Sequence, residues 1–137
     1  MCRRPCRVWL AIALAAALAA GCGGGGVSDE DQVRDVVTSF VQAGKDRDAA
    51  EACSLLAADQ VKVVEQLGGG AGCEQVLGGF LAKANAVGTD LKIEDVRVEG
   101  DRATVDATVK AAGSSPKAES IQLVKEDGEW KLASAGL

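Results

Sequence analysis

The chain has 137 residues, with 15 Lys or Arg, 20 Asp or Glu, no His, no Tyr and a net charge of −5. That length suits one small domain with a limited core. An acidic, evenly mixed charge argues against nucleic acid as a partner and against a basic grip on anionic lipid headgroups. Without His, a Ser–His nucleophile is excluded for Ser54, Ser114 and Ser115.

Arg3, Arg4 and Arg7 form a positive start, Val8 to Ala20 an apolar run of 13 residues, and Ala20-Gly21 a pair of small residues. This is the layout of a secretory signal peptide. The run is too short to span a bilayer, which takes about 20 residues. Leu18-Ala19-Ala20-Gly21-Cys22 resembles the lipobox of bacterial lipoproteins, with Ala19 where the commonest lipobox has Leu. The resemblance implies cleavage before Cys22, acylation of Cys22, and attachment to the extracytoplasmic face of the cell membrane through that lipid. Two or three acyl chains suffice for stable anchoring. An ordinary signal peptide cut nearby and an uncleaved anchor are the alternatives. The expected organisation is a signal at 1–21, a lipidated Cys with a Gly-rich tether at 22–28, and one domain at 29–137. All 20 acidic residues follow Cys22 and three of the 15 basic ones precede it, so processing takes the net charge from −5 to −8.

Cys2 and Cys6 leave with the signal, and acylation consumes Cys22. Cys53 and Cys73 remain, and in an oxidising compartment two leftover cysteines are most simply one disulfide. The competing readings are two buried free thiols, or a redox or metal site. With no CxxC and no His, a zinc site would need carboxylates to complete it; no metal or cofactor is expected. Asp46-x-Asp48-x-x-Glu51 has the look of a cation loop but lacks its Gly and terminal spacing, and helix capping explains it more simply.

Ser28-x-x-Asp31 reads as a capping box opening a helix. Val33, Val36, Val37, Phe40 and Val41 share one face, and Gly44 is expected to end it. A second helix starts near Asp48 with Ala49, Ala52, Cys53 and Leu56 on one stripe; Asp59 to Leu67 continue it, straight or bent. Gly68 to Gly72 break the chain. A third helix, about Cys73 to Asn85, carries Val76, Leu77, Phe80, Leu81 and Ala84 on one face, with Gly78-Gly79 weakening it or admitting a close neighbour.

After Gly88 the apolar period changes to two. Leu91–Glu99, Arg102–Ala111, Ala118–Lys125 and Glu129–Ala133 read as strands, joined at Glu99-Gly100-Asp101, at Gly113 to Pro116 and at Asp127-Gly128. Leu91 and Ile93 have one parity, Val96 and Val98 the other. A β-bulge near Glu94-Asp95 would turn both pairs inward. The expected fold is α+β: three N-terminal helices packed on a curved antiparallel sheet of about four strands.

Val96-Arg-Val-Glu-Gly-Asp-Arg-Ala-Thr-Val105 and Ile121-Gln-Leu-Val-Lys-Glu-Asp-Gly-Glu-Trp-Lys-Leu132, following amphipathic helices, resemble the C-terminal sheet of nuclear transport factor 2-like (SnoaL-like) domains. The similarity covers roughly Ser28 to Leu137. It implies a cone whose curved sheet wraps helices around an apolar pocket; members include isomerases, dehydratases, epoxide hydrolases and many non-catalytic modules. The missing Tyr rules out a ketosteroid-isomerase-like oxyanion site, and the missing His the dehydratase pattern. Asp95, Arg97 and Asp106 are the only candidates for a hydrolase-like Asp-Arg-Asp set, and read more simply as charged pairs on a solvated sheet face. Trp130 reads as core.

The Ala, Gly, Val and Asp bias points to a high-GC, actinobacterial cell envelope. The expected function is non-enzymatic: a small apolar ligand held among Phe40, Phe80, Val98, Val105, Val109 and Leu123. The alternatives are a module that pairs with itself as a homodimer or with an envelope protein, and an isomerase- or hydrolase-like enzyme whose Asp95 lines the pocket.

Overall fold

The computed structural model describes residues 26–83 and 90–134. The expected signal, Cys22 and most of the Gly tether lie outside the described residues, as do Ala84 and Asn85 of the third expected helix.

Helix α1 (Asp29–Asp46) opens as its sequence dictates. Ser28 Oγ accepts from the Asp31 N–H at 3.1 Å, and its hydroxyl donates to the Asp31 carboxylate at 2.8 Å. Three acidic residues in the first turn oppose the helix dipole. The helix runs past Gly44, against expectation. Its stop is a Schellman arrangement: Arg47 adopts left-handed backbone (φ 59°), its N–H returns to Gly44, and the Asp48 N–H returns to Ala43 at 2.8 Å. Gly44 lies inside the last turn, with Leu81 packed over it.

Asp48 then caps α2 (Ala49–Ser54), its carboxylate accepting from the Glu51 N–H at 3.0 Å. Here the helix count departs from expectation. The chain leaves the helix at Leu55 and runs beside the last strand before α3 (Ala58–Leu67) begins. The Leu132 N–H donates to Leu55 and the Ala57 N–H donates to Leu132, both at 2.8 Å, which makes Leu56 a parallel bridge partner of Leu132. Two backbone bonds to a sheet edge thus replace the helical bonds of one turn, and four helices stand where three were expected. The fourth, α4 (Cys73–Lys83), packs on α2 and α3. Gly78 faces Ala49 of α2, and Gly68 fits under Val76 where any Cβ would clash.

The disulfide is present: Cys53 of α2 is joined to Cys73, the first residue of α4, with Cα atoms 6.1 Å apart. It ties the two helices across the Gly-rich loop.

Strands β1 (Asp90–Glu99), β2 (Arg102–Lys110), β3 (Lys117–Glu126) and β4 (Glu129–Ser134) form an antiparallel meander in sequence order. The register of β1 on β2 jumps between Ile93 and Asp95, leaving Glu94 unpaired. This is the bulge that the parity change demands, and it turns Leu91, Ile93, Val96 and Val98 to one face. A second irregularity, at Ala133 between Gln122 and Leu123 of the partner, has no comparable parity signal. Asp127 and Gly128 both take positive φ (51° and 84°), as a two-residue hairpin turn requires.

The core joins Val33 and Val37 of α1 and Leu56 to Val105, Leu123 and Leu132 of the sheet. Helix α1 crosses the inner sheet face, its first half against β4 and its second against β1. Among the described residues no polar or charged side chain is buried.

Replacing Cys53 and Cys73 together by Ala should lower unfolding free energy by about 3 kcal/mol, the chain-entropy value for a loop of about 20 residues. Urea unfolding of the parent, the reduced parent and the double variant checks this. A loss below about 1 kcal/mol would show that packing of α2 on α4 already restrains the loop.

Candidate functional site

Of the six residues expected to line an interior pocket, Phe40, Val98, Val105 and Leu123 meet in one packed cluster. Val105 and Leu123 are 0% and 1% exposed, within a packed core. Phe40 is half-buried and packs against that core, as does Val98. Val109 is half-buried near the end of β2. Phe80 is 58% exposed on the outside of α4. Helix α4 rests on α2 and α3.

Among the described residues, two openings lie at the two ends of α1. Near its C-terminal end, Thr38, Val41, Gln42 and Lys45 face Leu91 and Ile93 of β1 across a cleft of about 240 Å³. Leu91 pairs with Val109 in the sheet, so this cleft adjoins the expected pocket but lies one strand farther out, at the edge. The α1 residues recur at i, i+3, i+4 and i+7, which puts them on one stripe. That spacing was visible in the sequence around Val41, though an apolar-face search passes over Thr, Gln and Lys. Near the other end of α1, a groove of about 300 Å³ runs between Gln32, Asp35 and Val36 and the hairpin residues Gly128 to Lys131, with Leu55 below.

Asp95, Arg97 and Asp106 do come together, but on the outer sheet face. Arg97 Nη2 lies 2.6 Å from Asp106 Oδ2, and Nη1 lies 3.8 Å from Asp95 Oδ2, all three side chains being well exposed. The bulge causes this: it sends Val96 and Val98 inward and their neighbours Asp95 and Arg97 outward. In that position the set is a solvated ion-pair network, of small energetic worth, and lines neither opening.

A more enclosed polar contact joins the start of α1 to the last hairpin. Asp29 Oδ1 accepts from Lys125 Nζ at 2.7 Å and from the Trp130 indole N–H at 3.1 Å, and the Lys125 ammonium also lies 5.4 Å from the Trp130 ring centre. Trp130 is buried, as expected of a core residue. The hydrogen bond from Lys125 and then that from Trp130 hold the Asp29 carboxyl below the usual carboxylate range. The pH consequence follows from that direction. A carboxylate with a lowered folded-state pKa stabilises the fold above the unfolded value, and the effect is lost as pH falls through the folded value. Asp29→Asn should therefore lower the melting temperature at neutral pH, with the gap to the parent closing below about pH 4. Thermal melts followed by Trp130 fluorescence read this; a gap that stays constant into acid would mean that the carboxylate charge contributes nothing.

Residues 31–137 match the family described as low molecular weight antigen MTB12, C-terminal domain. No curated protein matches the chain. Among solved structures, a candidate NTF2-like transpeptidase from Campylobacter jejuni superposes with a TM-score of 0.53 at 21% identity, covering 75% of this chain and 98% of that one. An NTF2-like protein of unknown function from Silicibacter pomeroyi superposes with a TM-score of 0.52 at 14% identity, covering 74% of this chain and 87% of that one. At these identities the likeness establishes the NTF2-like fold, a curved four-stranded sheet packed with four helices, and leaves the chemistry open. The chain belongs to the family of the MTB12 antigen C-terminal domain, an actinobacterial antigen family.

Proposed function

We propose that this chain is a lipid-anchored extracytoplasmic protein that binds a small ligand without transforming it, in the cleft between α1 and β1. One observation carries the choice of site. Val105 and Leu123 are packed within the core, whereas the cleft sets the half-buried apolar side chains Val41, Leu91 and Ile93 beside the polar groups of Thr38, Gln42 and Lys45. Binding sites combine apolar side chains with a few placed polar groups. The non-catalytic reading is supported by the outward position of Asp95, Arg97 and Asp106 and by the composition, which has no His or Tyr to move a proton. The anchoring reading is supported by the lipobox-like segment ending at Cys22.

A second reading has its own observation. Val63 and Leu67 on α3 and Phe80 on α4 are large apolar side chains at 45%, 75% and 58% exposure. Exposed apolar side chains on packed helices are a feature of protein-docking surfaces, so an envelope partner or a second copy of the chain is the alternative occupant.

Native mass spectrometry of the full chain, exported and oxidised, decides between them. A small-molecule adduct that is retained by the parent and lost from Ile93→Trp, whose indole would fill the cleft, supports the ligand reading. A bare mass that doubles, and returns to monomer with Phe80→Ser, supports the docking reading. Anchoring is tested separately: Cys22→Ala should leave the membrane fraction or stay unprocessed, and unchanged processing and retention would overturn it.

A further inference from the structure

We infer that the α1–β1 cleft takes a small organic anion, a carboxylate on a short hydrocarbon body. This rests on the cleft reading above and adds the chemistry of its ligand. Of the polar groups on the cleft wall, two are already engaged. The Thr38 hydroxyl donates to the Arg34 carbonyl at 2.8 Å, and the Gln42 amide donates to Asp46 at 2.9 Å. Lys45 is different: among the described residues its ammonium makes no ion pair or hydrogen bond, and no carboxylate lines the cleft. An exposed ammonium in a mostly polar cleft that also presents Val41, Leu91 and Ile93 favours a ligand with an anionic head and a short apolar tail.

The charges around the cleft are balanced. Its end of the domain gathers Lys45, Arg47, Lys92, Lys110 and Lys117 among Asp46, Asp48, Asp90, Glu94 and Glu119. Lys92 and Glu94 cancel as an ion pair, and Asp46 keeps its charge while accepting from the Gln42 amide. The opposite end, at the start of α1 and the two tight turns, carries Asp29, Glu30, Asp31, Glu99, Asp101, Glu126, Asp127 and Glu129 against Arg102, Lys125 and Lys131. An anion approaching this acidic protein is therefore repelled less at the cleft end than at that one.

The volume sets the tail. A cleft of about 240 Å³ equals roughly eight waters at about 30 Å³ each, enough for a ligand of about eight non-hydrogen atoms. Hexanoate has that size, and in so open a site its affinity is on the order of millimolar.

Amide chemical shifts of the full chain in lipid nanodiscs, titrated with hexanoate, its neutral analogue hexanol and its cationic analogue hexylamine, test this. Hexanoate should shift Lys45, Leu91 and Ile93 saturably and more tightly than either analogue. Lys45→Gln, a change on an exposed side chain, should weaken hexanoate about fivefold, the worth of an exposed ion pair, and leave hexanol unchanged. Hexanol or hexylamine binding as tightly as hexanoate, or Lys45→Gln without effect on it, would overturn the anion assignment and leave the cleft reading standing. No saturable shift at these three residues with any probe would overturn both.

Discussion

The backbone exchange between Leu55, Ala57 and Leu132 is the contact on which the arrangement of this domain turns. Two hydrogen bonds of 2.8 Å end α2 early, seat Leu56 in the core and cover the outer edge of β4. Their consequences extend in both chain directions. Upstream, the short α2 delivers Cys53 to Cys73. Downstream, α3 starts where its first N–H groups need partners, and the Glu126 carboxylate supplies one, accepting from Ala58 at 3.1 Å. Lys131 closes the same junction by donating to the Ser54 carbonyl at 2.9 Å. Helix ends that would otherwise be unsatisfied are capped by the strand pair they lean on.

Beside that junction, the Asp29, Lys125 and Trp130 cluster does similar work for α1. Both are places where a helix terminus meets the β3–β4 hairpin through a carboxylate, and neither buries a charge completely. The domain thus joins its helical layer to its sheet with polar contacts at the rim and keeps the centre apolar. A filled centre is also why the open space is found at the rim, where α1 lies over the sheet edge and leaves side chains on one side without partners.

How much of this was legible depended on the range of the forces involved. The sheet was readable almost residue by residue, because alternation, hairpin turns and the parity break at Glu94 are local. The capping of α1 and α2 by Ser28 and Asp48 was readable for the same reason, and Cys53–Cys73 followed from counting. The break at Leu55–Ala57 was not, since Leu-Leu-Ala has good helical propensity and only Leu132, 76 residues on from Leu56, overrides it. Gly44 misled by composition: the stop was set by the backbone of Arg47, three residues on. Of the expected pocket residues, Phe40, Val98, Val105 and Leu123 share one cluster, because apolar parity marks what faces inward; it is silent about how closely the inside packs. Lys45 belongs to the candidate site through its position beside Leu91 and Ile93, a tertiary fact that its own helix does not encode.

The covered edge of β4 has one more consequence, for association. Sheets grow at their edges, and a subunit with two free edges can add copies at both without limit. Here the outer side of β4 is blocked at its middle, at Leu132, by the chain's own Leu55–Ala57, whereas among the described strands β1 presents a side unpaired along its length. Strand addition through a single edge uses up that edge in each copy, so it closes after two subunits related by a two-fold axis. Glu94, bulged out of the ladder, and the charges of Lys92, Asp95 and Arg97 make even that step costly.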